Sequence, residues 1–376
     1  MRVCYFGTYR AEYNRNKIMI SALESAGVDV AICHENLWYS IEDRENVTAG
    51  GWRSPKFWLR VFVAYTRLLW NYTKIGDYDV MVVGYPGQID IFLARFLSNL
   101  QSKPLVLDVL ISLYLVSKER GLEHRKYSAT KFLKYLEQKS LIKPDLLLLD
   151  TQAFAGWFEK NLKISGDRFK VVPIGADDKI FFPRPEVVKD PQNFVVLYYG
   201  TFIPNHGIKT IMEAAAKLEK FPDIRIVMIG DGPERKWAEA YVASNNLLRV
   251  SFIDWIPQQE LAVEISKADV SLGAFGDRPQ SLLTVHNKIY ECMALGKTVL
   301  VAKTPATEAQ FSDEIEVKMC ESTGESIAGA ILYLKENPDV MEKISINARK
   351  AFIENYSINA IGKTFRSHLE HLLQCK

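Results

Sequence analysis

Cysteine is scarce in this chain, and long uncharged apolar runs are missing from it. The 376 residues include five cysteines, no two of them at CxxC spacing: Cys4, Cys33, Cys292, Cys320 and Cys375. Scattered thiols in odd number are typical of a reducing compartment and argue against a zinc site, so we expect a cytoplasmic protein without a metal. No apolar run reaches the roughly 18 residues of a membrane-spanning helix, and residues 1–7 indicate a strand ending at a glycine instead of a signal peptide.

A strong excess of one charge is also absent. The net charge is +2, whereas dedicated nucleic-acid-binding proteins usually carry a large basic excess, so we expect no nucleic-acid partner. The charge is unevenly divided, with 25 Lys/Arg and 20 Asp/Glu in residues 1–180 but 22 and 25 in the remainder. The N-terminal half is therefore predicted to be the half that meets an anionic partner.

The C-terminal half alternates apolar strands with helices. Strands are predicted at 195–199, 224–229, 250–253, 270–275 and 298–301, and helices at 208–218, 259–267 and 287–295. A further helix is expected to start with Pro233 at its first position. Continuous apolar strands separated by helices are typical of a parallel sheet covered on both faces, which predicts a doubly wound α/β domain.

The N-terminal half shows the same alternation. Strands are predicted at 2–6, 28–33, 80–83, 105–108, 146–150 and 170–172, and helices at 17–26, 90–100, 128–142 and 153–162. A polar, proline-punctuated stretch between the halves indicates a linker. The predicted organisation is a domain over 1–183, a linker over 184–193, a domain over 194–356 and an amphipathic segment over 357–376.

A short segment near the C-terminal end carries the most chemical information. A helix of about two turns is predicted there, with Asn287 as N-cap and Gly296 in the left-handed C′ position. Lys288 and Glu291 are three residues apart, on one face near the helix N-terminus, whose unpaired N–H groups favour anions. A cation there suits a phosphate and a carboxylate one turn on suits a diol, which together describe half of a nucleotide. A solvated Lys–Glu pair on an ordinary helix is the alternative for these two residues alone.

Six motifs in register resemble those of family 4 of the retaining GT-B glycosyltransferases. In chain order they include Val172-Pro173-Ile174-Gly175-Ala176-Asp177 with Phe182-Pro183, Gly200 with Asn205-His206-Gly207 and Ala214-Ala215, Gly230-Asp231-Gly232-Pro233, Ala268-Asp269-Val270, and Asn287-Lys288 with Glu291 and Gly296-Lys297. The resemblance covers the whole chain and is strongest from about residue 170 to 310. It implies a GT-B fold of two doubly wound Rossmann-like domains with a deep cleft between them, the N-terminal one binding the acceptor and the C-terminal one a nucleotide sugar. The segment 357–376 is then expected to be a helix that packs back on the N-terminal domain.

The resemblance also implies roles for single residues. Lys288 matches a lysine that contacts the diphosphate and Glu291 a glutamate that hydrogen-bonds the ribose, and we predict this pair as catalytic. The predicted donor- and nucleotide-binding residues are Gly7, Gly200, Thr201, His206, Asp254, Trp255, Ile256, Arg278, His286, Asn287, Lys288 and Glu291. The predicted acceptor-side residues are Tyr9, Arg10 and Asp108. A UDP- or GDP-sugar is the expected donor, with no cofactor and no metal.

Some positions depart from the family pattern. Thr201 and His206 stand where many members carry an arginine and a lysine, Leu283 where a first glutamate would fall, and Leu110 near the place of a common histidine. The diphosphate site is therefore expected to be rebuilt around Lys288, supplemented by Arg278 and by His206. Since histidine charges near neutral pH, His206 would help either when protonated or as a neutral donor. A plain loop role for His206 is the alternative. Gly7 is expected to let the following loop approach the phosphates, and the glycines at 230 and 232 to form a strand-to-helix turn.

A segment at 51–74 mixes aromatic side chains with five basic residues and no acidic one. Such a helix can lie on an anionic membrane surface, which predicts a peripheral membrane contact through 52–74 at the inner face of the membrane. The favoured alternative is that Trp58, Phe62, Tyr65 and Leu69, which recur at helical spacing, pack on the N-terminal sheet.

The predicted function is that of an intracellular retaining glycosyltransferase of polysaccharide or glycoconjugate biosynthesis. It would move a sugar from a nucleoside diphosphate to a hydroxyl of a glycan, a lipid-linked intermediate or a small molecule. Two alternatives stay open. One is a GT-B-fold sugar-nucleotide epimerase, which needs no acceptor. The other is a non-catalytic glycosyltransferase-like subunit, which Thr201, Leu283 and Leu110 favour and the Lys288–Glu291 pair disfavours.

Overall fold

The computed structural model describes residues 1–37, 54–119 and 127–375. Within these ranges the chain forms two compact units. The first comprises Met1–Asp150, Ala155–Pro173 and Ile358–Lys376, and the second Thr151–Phe154 and Ile174–Ser357. Each unit is built on a six-stranded sheet in which all strand pairs are parallel, so the predicted α/β class is confirmed.

The elements are numbered in chain order. The strands are β1 Arg2–Gly7, β2 Asp29–His34, β3 Val80–Val83, β4 Leu105–Asp108, β5 Leu146–Leu149, β6 Phe169–Val171, β7 Phe194–Tyr199, β8 Ile224–Ile229, β9 Val250–Ile253, β10 Val270–Leu272, β11 Thr298–Ala302 and β12 Lys318–Cys320. The α-helices are α1 Asn14–Ser25, α2 Pro55–Tyr72, α3 Asp90–Leu100, α4 Leu113–Glu119, α5 Tyr127–Leu141, α6 Gln152–Leu162, α7 Ile208–Leu218, α8 Arg235–Ser244, α9 Gln258–Lys267, α10 Pro279–Leu283, α11 Asn287–Ala294, α12 Pro305–Gln310, α13 Gly324–Glu336, α14 Pro338–Ala351 and α15 Ile358–Gln374.

The sheet of the first unit has the strand order β2-β1-β3-β4-β5-β6. Every residue of β3, β4 and β5 is buried, as expected for uninterrupted apolar strands covered on both faces. In this order β2 lies on one side of β1, and β3 to β6 follow one another on the other side. Because crossovers between parallel strands are right-handed, α1 lies on one face of the sheet, and α2, α3 and α5 lie side by side on the other.

The face that carries α1 is closed by the last helix of the described chain. Ile361, Phe365 and Leu369 of α15 are fully buried in the same apolar core as Met19 and Ala22 of α1. The C-terminal segment therefore contributes to the core of the first unit, although 184 residues of the second unit precede it in the chain (174–357).

The sheet of the second unit reads β9-β8-β7-β10-β11-β12 from one edge to the other. In the central register Val196 of β7 is paired with Val270 of β10 and with Ile226 of β8. Helices α7 and α8 lie in the crossovers that lead from β7 to β8 and on to β9, toward one edge of the sheet. Helices α9 and α11 lie in the crossovers that lead back to β10 and on to β11, toward the other edge. The strand order therefore reverses between β7 and β10, which makes this the switch point of a doubly wound sheet.

Three predicted boundaries of the second unit are corrected. The β10 strand ends at Leu272 and not at residue 275, because the Phe275 N–H donates to the His206 carbonyl oxygen (3.0 Å) outside the sheet. The N-cap of α11 is His286, in extended conformation, and Asn287 is the first helical residue. Pro233 precedes α8 instead of opening it, since Gly230–Glu234 forms the strand-to-helix turn and the Arg235 N–H donates to the Gly232 carbonyl oxygen.

The interpretation that the stripe of α2 packs on the sheet is wrong for three of its four residues. Trp58 is 56% exposed, Phe62 69% and Leu69 40%, whereas the buried residues of the helix are Ala64 and Leu68. Tyr65, the fourth, is half-buried, and its hydroxyl donates to Asp90 Oδ1 at 2.6 Å. Residues 51–53 of this segment lie outside the described residues. In the part of the chain that is described, no helix is long and apolar enough to cross a membrane.

A fully buried ion pair ties α1 to the carboxyl end of β4. Arg15 donates from Nε and Nη2 to the two carboxylate oxygens of Asp108, both at 2.9 Å, and neither side chain is exposed. Arg15 Nη1 donates to the carbonyl oxygens of Val172 and Pro173. The predicted acceptor role of Asp108 is therefore corrected: both of its oxygens serve a structural pair.

Breaking this pair should destabilise the protein strongly. Asp108→Asn leaves the Arg15 guanidinium buried without its counter-charge, which should lower the free energy of unfolding by about 3–5 kcal/mol. The control Asp29→Asn removes the partner of Arg2 in a largely exposed pair and should cost less than about 1 kcal/mol. Urea unfolding measures both changes, and equal small effects would show that the buried pair does not hold α1 in place.

Candidate functional site

The candidate site lies at the carboxyl ends of β7 and β10. Ligands of doubly wound proteins bind outside the carboxyl ends of the strands, at the point where the strand order reverses. In the second unit this point is followed by Gly200 and Thr201 on one strand and by Gly273 on the other. Helix α11 brings Lys288 and Glu291 to the same place.

Lys288 is buried at this switch point, with 5% of its surface exposed. Its Nζ lies 4.1 Å from the centre of the Tyr198 ring and 3.5 Å from the Gly273 carbonyl oxygen. Burial lowers the pKa of Lys288 to about 7, and the negative charge of Glu291 opposes this shift. The lysine is thus held by an aromatic face and a distant carbonyl group, which are weak contacts for a buried cation.

Glu291 is 6% exposed and is held by Tyr199. The Tyr199 hydroxyl donates to Glu291 Oε2 at 2.9 Å and lies 3.0 Å from the Lys288 carbonyl oxygen. Burial raises the pKa of the Glu291 carboxyl to about 7, against the lowering effects of Tyr199 and Lys288. The alternative of a solvated Lys–Glu pair is therefore wrong, because both side chains are withdrawn from water.

Gly200 gives Lys288 the space that it occupies. Its φ is +135°, and a Cβ atom built there would lie 3.3 Å from Lys288 Nζ and 3.6 Å from the His206 ring. A larger residue at the end of β7 would be strained in this conformation and would crowd the ammonium group.

His206 and His286 form an edge-to-face pair beside the lysine, with ring centres 5.2 Å apart. Burial, and then the charge of Lys288, lowers the pKa of His286 to about 3 and that of His206 well below its usual range. The expectation that His206 charges near neutral pH is therefore wrong: a buried imidazole next to a lysine stays neutral.

The Tyr198 hydroxyl links His206 to the backbone after β7. It lies 3.0 Å from the Thr201 carbonyl oxygen and 2.9 Å from His206 Nδ1. Nδ1 of His206 is therefore occupied by a protein partner. Among the described residues, the buried Nε2 of His286 has no hydrogen-bond partner, and such a group is unusual unless a ligand or water meets it.

The remaining predicted donor residues of the second unit are more dispersed. Asp254 and Trp255 follow β9, the edge strand beyond β8; the Asp254 side chain is 97% exposed and the Trp255 ring 57%. Ile256 is half-buried in the same loop. Arg278 is half-buried and is the N-cap residue of α10. All of them lie in loops at the carboxyl edge of the sheet, although the structure does not bring them against Lys288.

The backbone of Leu283 makes a structural contact. Its carbonyl oxygen accepts a hydrogen bond from the Thr151 hydroxyl at 2.6 Å, which attaches the short segment Thr151–Phe154 to the second unit. An apolar side chain suffices for this contact, because the backbone makes it.

The predicted residues of the first unit serve mainly its own structure. A Cβ atom on Gly7 would lie 2.7 Å from Asp90 Oδ2, and the backbone N–H of Thr8 donates to the same oxygen at 2.6 Å. The expectation that Gly7 makes room for phosphate is therefore corrected, since a carboxyl group fills that room. Tyr9 is buried and stacks on the His34 ring at 4.3 Å, and the half-buried Arg10 lies over the Tyr13 ring.

Sequence reasoning missed Tyr198 and Tyr199, which form the side of the site that faces α11. The signal available was a pair of hydroxyl-bearing aromatics at the end of a strand, directly before Gly200. Tyrosines are common in strands for packing reasons, so the pattern alone does not distinguish these two from core residues.

A model of the family "Glycosyl transferases group 1" matches residues 180–351. The second unit is a glycosyl transferases group 1 domain. The chain is also 21% identical over 225 residues to the MMP alpha-(1->4)-mannosyltransferase of Mycolicibacterium hassiacum, a match over 58% of this chain and 52% of that protein. The matched part thus spans about half the length of this curated relative.

Solved structures resemble the whole chain. Sucrose-phosphate synthase from Thermosynechococcus elongatus superposes with a TM-score of 0.75 at 16% identity, over 100% of both chains. Alr3699/HepE of Anabaena, solved in complex with UDP, gives a TM-score of 0.71 at 14% identity over 98% of this chain and 99% of that chain. With two doubly wound sheets in one chain, the fold is GT-B, as the family resemblance implied.

The buried carboxyl of Glu291 should leave a signature in the pH dependence of stability. Its pKa is about 7 in the folded protein and about 4.5 when unfolded, so the folded state keeps a proton that the unfolded chain releases. The contribution of Glu291 to the free energy of unfolding therefore falls as pH rises from about 4.5 to 7. Glu291→Gln can still accept the Tyr199 hydrogen bond but cannot titrate, so its melting temperature should rise relative to wild type across this window, by up to the equivalent of about 3 kcal/mol.

The matched control is Glu260→Gln, a substitution of an exposed carboxylate on α9. Differential scanning fluorimetry at several pH values measures both variants. A difference between Glu291→Gln and wild type that stays constant with pH would mean that Glu291 titrates like a solvated carboxylate.

Proposed function

We propose that this protein is a retaining glycosyltransferase that moves a sugar from a nucleoside diphosphate to a hydroxyl acceptor. The observation that carries the proposal is the buried cluster of Lys288, Glu291 and Tyr199 at the switch point of a group 1 domain. Two similarities support it: the Anabaena protein was solved with UDP and with UDP-glucose, and the Mycolicibacterium relative is a mannosyltransferase.

Lys288 would bind and stabilise the diphosphate. Its weak contacts with Tyr198 and Gly273 leave the ammonium group to a stronger partner, and a diphosphate brings the negative charge that favours the protonated lysine. The unpaired N–H groups of the first turn of α11 lie at the end of the helix that also carries Lys288. As the bond between sugar and phosphate breaks, charge accumulates on the departing diphosphate, and a buried cation already in place stabilises it.

Glu291 would bind the ribose. Tyr199 holds Oε2 of the carboxylate in place, while Oε1 and its lone pairs suit the hydroxyl donors of a diol. A fixed carboxylate one helical turn from the lysine matches the separation of ribose and diphosphate in a nucleotide. Asp254, Trp255 and Ile256 would then contact the base, and Gly200 and Thr201 the phosphates.

The two histidines would contact the sugar as neutral groups. The buried Nε2 of His286 has no partner within the described residues, and His206 contacts the Tyr198 hydroxyl through Nδ1. Neutral imidazoles can accept or donate hydrogen bonds to sugar hydroxyls without adding charge near the reacting carbon. Arg278 would supplement the charge of Lys288.

The acceptor would bind to the first unit, through the loop that contains Tyr9 and Arg10. With attack from the face that the diphosphate leaves, the departing phosphate takes the acceptor proton and no protein base is required. This mechanism needs neither a metal nor a cofactor. The acceptor class is a glycan, a lipid-linked intermediate or a small molecule, and the proposed location is the cytoplasm.

Nucleotide binding should depend on both members of the pair. A panel of UDP, GDP, ADP and TDP should raise the melting temperature for the correct base, because a ligand at 100 times its dissociation constant adds about 2.7 kcal/mol of stability. Lys288→Met and Glu291→Ala should each abolish the shift. In a transfer assay Lys288→Met should lower turnover, and Glu291→Ala should mainly raise KM for the donor.

The control variant is Lys303→Met, which removes an exposed lysine of the same unit and should behave as wild type. Wild-type binding and turnover in both site variants would refute the assignment of the pair. A wild type that binds none of the nucleotides would favour the non-catalytic subunit, whereas conversion of a nucleotide sugar without an acceptor would identify an epimerase.

Diphosphate binding should be coupled to proton uptake. The pKa of Lys288 is about 7 in the free protein, so at pH 8 most of the lysine is neutral, and a bound anion raises its pKa. Binding at pH 8 should therefore take up a proton, and affinity should weaken as pH rises above 7. Isothermal titration in two buffers of different ionisation enthalpy measures this uptake. An equal uptake at pH 6, where most of the lysine is already charged, would assign it to another group.

A further inference from the structure

Large apolar side chains are exposed on three neighbouring helices of the first unit. These helices, α2, α3 and α5, lie on the same face of the sheet, opposite α1. Their exposed residues, each at least 36% accessible, are Trp58, Leu59, Phe62, Val63, Leu69, Trp70, Phe92, Phe96, Leu100, Phe132 and Tyr135. Single exposed apolar residues are ordinary, but a set that spans adjacent helices marks a surface that something covers.

The same face exposes no carboxylate on these helices within the described residues. Helix α2 contains no Asp or Glu at all. The one acidic residue of α3, Asp90, is buried, with Tyr65 and Thr8 as hydrogen-bond donors to its carboxyl group. The one acidic residue of α5, Glu137, is also buried and accepts from the Ser112 hydroxyl and two backbone N–H groups.

Basic side chains are exposed beside the aromatic rings of this face. Lys56, Arg67 and Lys139 are exposed, and Nζ of Lys139 lies 5.3 Å from the centre of the Tyr135 ring. Lys74, directly after α2, lies 5.3 Å from the centre of the Trp70 ring. Ring and cation therefore reach the surface together, as they do where a protein meets the boundary between lipid headgroups and acyl chains.

Other helices of the first unit carry acidic residues at the surface. On α6, the next helix of the layer, Glu159 is exposed. On the opposite face of the sheet, Glu24 of α1 is exposed and Glu370 of α15 pairs with Arg366. The neighbouring helices α1, α6 and α15 thus each carry an acidic residue at the surface, unlike α2, α3 and α5.

We propose that the outer face of α2, α3 and α5 binds the surface of an anionic lipid bilayer. The aromatic and aliphatic side chains enter the headgroup region, and the lysines and arginine contact lipid phosphates. A second copy of the chain is a poor partner for this face, because two such surfaces would bring like charges together. The interaction is independent of the proposed glycosyl transfer, since it uses no residue of the second unit.

Vesicle sedimentation with the whole chain tests whether the outer face of α2, α3 and α5 binds an anionic bilayer. Wild type should sediment with vesicles of phosphatidylcholine and phosphatidylglycerol, weakly with phosphatidylcholine alone, and less as salt is added. The triple variant Trp58→Ser/Phe62→Ser/Trp70→Ser should lose at least about tenfold in partitioning, because three apolar side chains leave the interface. Lys56→Gln/Arg67→Gln/Lys74→Gln should lose about fivefold per charge removed.

The control is Trp237→Ser, which removes an exposed tryptophan of the second unit and should bind as wild type. The proposal fails if wild type ignores anionic vesicles, or if the triple variant binds as well as the control. It also fails if light scattering finds a dimer that the triple variant converts to monomers while wild type does not bind vesicles.

Fluorescence keeps the test decisive if the triple variant does not fold. Brominated phosphatidylglycerol should quench the tryptophan emission of wild type in vesicles. Trp58→Phe/Trp70→Phe keeps two aromatic rings at the surface, so it should still bind while most of the quenching disappears. Unchanged quenching in this variant would place the lipid contact elsewhere on the molecule.

Discussion

The burial of one lysine beside one glutamate determines most of the chemistry of the second unit. Moving both charges out of water costs several kcal/mol per ion, and mutual attraction repays this only in part when the hydrogen bonds are few. Here Lys288 has an aromatic face and a distant carbonyl group, and Glu291 has one tyrosine hydroxyl. The pKa values of both groups are consequently displaced toward 7, which is typical of sites that are completed by a ligand.

The two units differ at corresponding places in their folds. In the first unit two buried carboxylates near the strand ends are well matched: Asp108 accepts from two N–H groups of Arg15, and Asp90 accepts from Thr8 and Tyr65. In the second unit the cation at the switch point has no such match among the described residues. The same architecture therefore gives the carboxylates of Asp108 and Asp90 strong hydrogen bonds in the first unit and leaves Lys288 with weak contacts in the second.

The sequence predicts what local patterns determine. The predicted strands at 80–83, 105–108 and 224–229 have the observed bounds. The first two are buried along their whole length, and such short, mainly apolar runs can be recognised without knowledge of their partners. The direction of the α2 stripe was not predictable, since periodicity shows that Trp58 and Phe62 share a face but not which face meets the sheet. The neutral state of His206 was equally inaccessible, because it depends on burial in the folded protein and then on the charge of Lys288, which lies 82 residues further along the chain.

The departures from the family pattern have one physical consequence. Where many members of the resembled family carry fixed cations, this chain has Thr201 and a neutral His206, and the buried cation next to His206 is Lys288. A guanidinium keeps its charge under all conditions, whereas a buried lysine with a pKa near 7 acquires it fully only when an anion arrives. Gly200 admits this lysine to the end of β7, and Tyr198 supports it with a ring in place of a carboxylate. Under the proposed function, burial would make the lysine responsive to an anionic ligand, in place of the permanent charge that an arginine would supply.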